Sequence, residues 1–107
     1  GVDVEKVGLD AAEKAVDLRP NDATFVDTLG WVYFGLNREE EAEEQFLHAL
    51  EINPDSGAAH LHLGVLYLKK NHLDLAYRSL LQARDLSSGT VIGEQAENLL
   101  KQYFFEK

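Results

Sequence analysis

An all-α solenoid, built from about six helices in antiparallel pairs, is the fold class this sequence predicts. Three observations predict it. Chemically distinct residues recur at one offset: Pro20 and Pro54, Leu29 and Leu63, Gly30 and Gly64, Tyr33 and Tyr67, Ala42 and Ala76, Ala49 and Ala83 each stand 34 residues apart. Within a period, apolar and small residues fall at helical spacing, as in Ala42, Phe46 and Ala49 and again in Ala76, Leu80 and Ala83. Helix punctuation obeys the same offset, with Asp22, Ser56 and Thr90 as N-caps and Asn37 and Asn71 at left-handed helix closures.

Residues 1–21 read as the second helix of a truncated repeat, because Gly8, Ala12, Ala15 and Pro20 each lie 34 residues before Ala42, Phe46, Ala49 and Pro54. A longer array is expected to precede it. Residues 22–55 and 56–89 each form a full repeat. The first helix of each begins after its N-cap and ends near Asn37 or Asn71. The second helices run from Arg38 to Ile52 and from His72 to Leu86. Pro20 and Pro54 follow second helices, where proline ends a helix without removing one of its hydrogen bonds. Gly30 is expected to face Ala42 across its hairpin, and Gly64 to face Ala76, since a glycine inside a helix costs about 1 kcal/mol relative to alanine and close packing would offset it. Residues 90–107 form a capping helix, with an apolar stripe of Val91, Ile92, Ala96, Leu99 and Tyr103 opposed by Glu94, Gln95, Glu97 and Lys101.

The packing pattern resembles the tetratricopeptide repeat. Its signature stands here as Val26-x-x-Leu29-Gly30-x-x-Tyr33, Ala42-x-x-x-Phe46 and Pro54, then as His60-x-x-Leu63-Gly64-x-x-Tyr67 and Ala76-x-x-x-Leu80. Val26 and His60 occupy the usual tryptophan place, Leu80 replaces phenylalanine, and Ser88 stands where proline is usual. The resemblance implies a right-handed superhelix whose concave wall is lined by first helices. It also implies a non-enzymatic scaffold that binds a peptide or helix of a protein partner in that groove. The stretch NDATFVDTLGWVYF is similar to terminal repeats of bacterial proteins of this family, some linked to pilus and envelope export, which implies a bacterial source.

Subtracting the packing signature leaves Thr24, Asp27, Trp31, Phe34 and Gly35 for the groove in one repeat, and Ala58, Leu61, Val65, Leu68 and Lys69 in the next. Asp27, Trp31, Leu61 and Val65 stand where family members that bind chaperone C-termini carry a cationic and amide clamp, so that clamp is absent. The resulting wall is apolar and aromatic, suited to the apolar anchors of an amphipathic segment, with Asp27 and Lys69 setting orientation. Trp31 and the tail aromatics Phe104 and Phe105 leave a second reading open, in which the groove is filled by the chain itself or forms a homo-oligomer contact. An accessory role beside an enzyme elsewhere in a longer protein is a third.

Composition excludes several classes. Nineteen acidic residues against ten basic ones give a formal charge of −9, the opposite of the basic stripe that nucleic acid or an anionic membrane surface requires. No apolar run approaches the roughly 20 residues of a spanning helix, so direct membrane insertion is not expected. The lack of cysteine removes disulfides and thiolate metal sites, and is compatible with either a cytoplasmic or a periplasmic setting. His60 and His62 diverge by about 200° on a helix and cannot share a metal. His48 and His72 are isolated, and the glutamates of REEEAEEQ form a solvated face. No catalytic constellation, phosphate loop, metal site or cofactor site can be assembled.

Overall fold

The computed structural model of the chain describes residues 4–105, and all the regular secondary structure among them is helical. Two compact units divide it, Gly1–Pro54 and Asp55–Lys107. The first holds α1 (Val4–Leu18), α2 (Ala23–Gly35) and α3 (Glu39–Ile52); the second holds α4 (Gly57–Lys69), α5 (Leu73–Leu86) and α6 (Val91–Leu100), which runs on into a single π turn over Lys101–Phe105.

Helix ends follow from local side-chain chemistry. The Asp22 carboxylate accepts from the backbone N–H groups of Thr24 and Phe25, Ser56 Oγ from that of Ala59, and Thr90 Oγ1 from that of Gly93, so three helices begin on a satisfied cap. At the other end, Asn37 and Asn71 adopt φ of 62° and 60°. Arg38 N–H reaches the Tyr33 carbonyl at 2.9 Å while Asn37 N–H reaches Phe34 at 3.0 Å. His72 to Tyr67 at 2.8 Å and Asn71 to Leu68 at 3.1 Å reproduce this in the next repeat. Each is a Schellman closure, which brings the residue after the asparagine back over the last turn. Accordingly the Arg38 guanidinium lies 4.8 Å from the Tyr33 ring centroid and the His72 ring 6.3 Å from that of Tyr67. His72 is therefore a stacking residue rather than an isolated one.

In the first unit Val26, Leu29 and Tyr33 of α2 close on Ala42, Phe46 and Ala49 of α3, with Ala12 of α1 also buried. Phe46 and Val26 are fully buried, each removal from water stabilising by about 1.5–3 kcal/mol. The Tyr33 hydroxyl donates to Glu13 Oε2 at 3.3 Å, a polar tie between α2 and α1. A Cβ on Gly30 would stand 2.6 Å from Phe46 Cε1 and 3.2 Å from the Ala42 carbonyl, so this glycine lies under the Phe46 ring as much as against Ala42. Gly64 in the second unit meets Leu80, whose Cδ2 would lie 2.6 Å away; the branched side chain, not Ala76, fills the space. Gly8, expected to pack like Ala42, is exposed with nothing within 4 Å of a Cβ added there.

The α6 stripe differs from expectation. Val91 and Tyr103 are 67% and 53% exposed, while Leu100 is fully buried with Ala96. Ile92, Leu99 and Phe104 complete the face that meets α4 and α5. The π turn accounts for Tyr103: i→i+5 pairing winds less per residue than an α-helix, holding Phe104 on the inner face and swinging Tyr103 off it.

Candidate functional site

The predicted wall residues fall into separate environments. On α2, Thr24 and Gly35 are exposed and Phe34 is half-buried. Trp31, the only tryptophan, keeps 41% of its surface exposed. Its ring stacks on that of Phe34 with centroids 5.1 Å apart and planes inclined by 21°. The α2 backbone explains the pairing: residues three apart on a helix are neighbours on its surface, and the packing positions Val26, Leu29, Gly30 and Tyr33 hold the opposite side inward. The result is an aromatic platform, half-buried at Phe34 and partly exposed at Trp31. Asp27, by contrast, is only 6% exposed and forms part of the interior. It is not placed to steer a partner as expected.

On α4 the picture changes. Leu61 is 4% exposed and belongs to a core cluster with Leu80, Ala83, Ala96 and Leu100, and Val65 and Leu68 pack against that cluster. Helix α6 covers Leu61, Val65 and Leu68, three of the α4 positions that the repeat register assigns to an open wall. Leu61 is thus a core residue of the second unit, and Val65 and Leu68 are half-buried beside it. Ala58 is half-buried and Lys69 exposed.

The tail presents its own aromatics. Tyr77 of α5 meets Phe104 and Phe105 edge-on at 5.2 and 6.2 Å between centroids. Phe104 turns inward and Phe105 stays 51% exposed. Sequence reasoning raised the two phenylalanines but missed Tyr77, whose spacing of four from Leu73 marked an outer apolar row on α5.

Arg38 and Glu41 form a bidentate pair at 2.7 and 2.6 Å, which raises the pKa of the guanidinium and holds the Glu41 carboxyl below its usual 4.5. Burial, with Glu13 beside it, pushes the Tyr33 hydroxyl above 10.0. Among the described residues, no group of three or more His, Cys, Asp or Glu side chains comes together to hold a metal, and no helix is long and apolar enough to cross a membrane.

Comparison with known families agrees with the helical repeat. Residues 23–56 match the family model described as Tetratricopeptide repeat, and residues 42–84 match one described as Est1 DNA/RNA binding domain. Among curated proteins, none matches the chain significantly.

Proposed function

We propose that this chain, a protein of the tetratricopeptide-repeat family, is a non-enzymatic scaffold that receives a segment of a partner protein on the outer face of α2. The family supports a role in protein–protein interaction. The observation that carries the finer reading is Trp31, stacked on Phe34 yet 41% exposed, on a helix whose packing residues Val26, Leu29 and Tyr33 are buried. Tryptophan is the residue type most suited to anchor an interface from such a position, because its large rigid surface orders at little entropic cost. Phe34 supports the anchor. Leu61 is not part of this surface, being sealed under α6.

Affinity capture with the wild-type chain and a Trp31→Glu variant tests the reading, with circular dichroism confirming that the variant folds. Loss of a captured protein from the folded variant supports it. Retention by both excludes the α2 face.

The Est1 match favours a second reading, nucleic-acid binding. Across residues 42–84 the chain carries four basic residues, Lys69, Lys70, Arg78 and Arg84, against five acidic ones. Phosphate contacts rest on clustered Lys and Arg, so this balance argues against it. A gel-shift titration with single- and double-stranded DNA and RNA separates the two readings: a shift that collapses with added salt would favour the nucleic-acid partner.

A further inference from the structure

Charge is divided unequally between the two units. Thirteen of the nineteen acidic residues and four of the ten basic ones lie in residues 1–54, so this unit carries the whole formal charge of −9, whereas residues 55–107 hold six of each sign. Both arginines of the acidic unit are engaged within it. Arg38 is paired with Glu41 through both oxygens, and the Arg19 guanidinium lies 6.0 Å from the Phe25 ring centroid. The Trp31–Phe34 platform belongs to this same unit.

Resting on the reading of α2 as a docking face, we infer that its partner segment is cationic: an amphipathic stretch bearing Arg or Lys, whose apolar side and one guanidinium or ammonium group settle on the Trp31 ring. Tryptophan is the aromatic that attracts a cation best, its ring face being electron-rich. A unit of strongly negative field concentrates cationic segments around it and speeds their encounter, an effect that weakens as salt rises. The same field opposes the rival occupants. A second copy presenting its own acidic unit meets like charge, and a nucleic-acid backbone meets it more strongly. Cation and aromatic platform together give a specificity that neither supplies alone: the field selects charge, and the Trp31 face fixes where it lands.

The test uses the whole chain and three short helical peptides that share one leucine stripe and carry Arg, Gln or Glu at the remaining positions. Trp31 emission reports contact at the platform, since no other tryptophan is present. Anisotropy of labelled peptide reports binding anywhere. The Arg peptide is expected to bind about tenfold more tightly than the Gln peptide in low salt. That gap should shrink in high salt, with a saturable change in Trp31 emission. Trp31→Ala, which leaves the charge intact, is expected to weaken Arg-peptide binding about three- to tenfold. Equal binding of Arg and Gln peptides, both perturbing Trp31, overturns the cationic inference and leaves the docking face standing. Arg-peptide binding that neither changes Trp31 emission nor weakens in Trp31→Ala places the cation elsewhere on the acidic unit and also overturns it. No perturbation of Trp31 by any peptide overturns the inference and the docking face together.

Discussion

Replacing Gly30 with alanine sets two effects of known size against each other. Alanine is favoured over glycine inside a helix by about 1 kcal/mol. The new Cβ, however, would stand 2.6 and 2.7 Å from Phe46 Cε1 and Cδ1 and 3.2 Å from the Ala42 carbonyl. Phe46 is fully buried, so its ring has no solvent-facing space into which to swing. Overpacking a closed core costs about 1–3 kcal/mol, and contacts this short at a ring place the cost in the upper part of that range. The net expectation is a loss of about 1–2 kcal/mol, a fall of roughly 4–15 °C in the unfolding midpoint for a chain of this size. Thermal and urea unfolding of wild type, Gly30→Ala, Phe46→Ala and the double variant measures it. In the Phe46→Ala background the ring is gone, and Gly30→Ala should become neutral or stabilising by up to about 1 kcal/mol. A Gly30→Ala chain that is more stable than wild type would refute the reasoning, since propensity would then outweigh contact.

Other expectations follow from the same structure. Asn37→Ala should cost about 1–2 kcal/mol, because a Cβ-bearing residue without a polar side chain tolerates φ of 62° poorly, whereas Asn37→Gly should be neutral or better; urea midpoints distinguish them. Thr90→Ala removes the hydroxyl that caps α6 and should destabilise by about 1 kcal/mol, with amide exchange rising first over α6. Leu100→Ala should cost about 2–5 kcal/mol and Tyr103→Ala almost nothing, the reverse of what a regular α-helical stripe through Tyr103 would give. The Tyr33 pKa lies above its unfolded value, so the stability its neutral hydroxyl supplies is present below pH 10.0 and is lost as pH rises through the folded value; ultraviolet difference spectra should show a tyrosine titrating above 10.0 in the folded chain that is missing from Tyr33→Phe.

What was legible in the sequence is what depends on neighbours in the chain. Caps at Asp22, Ser56 and Thr90 and left-handed closures at Asn37 and Asn71 are local events, governed by one side chain and a few backbone groups, and the second helices begin one residue from where the spacing put them. The packing row from Val26 to Ala49 is nearly as local, since the short closure at Asn37 forces the two helices side by side. Leu61 shows where such reading stops. Its position in the repeat marks it as open only if no later helix covers it, and α6, lacking the repeat signature, does cover it. The failure at Tyr103 has a similar root: the π turn changes helical phase, and residue periodicity extrapolated at 3.6 per turn passes through it unaware. Asp27 was read by subtraction alone, and its burial is set by tertiary surroundings that subtraction does not contain. The division of charge was present in the sequence throughout, but it acquired meaning only once residues 1–54 proved to be one compact unit.

The proposed meeting point of partner and protein is Trp31. The most direct measurement follows Trp31 emission while the captured partner is titrated into the chain, with light scattering recording complex formation in the same samples. A saturable blue shift that tracks the complex is expected, as a half-exposed indole leaves water. A complex that forms fully while the Trp31 spectrum stays unchanged would contradict it.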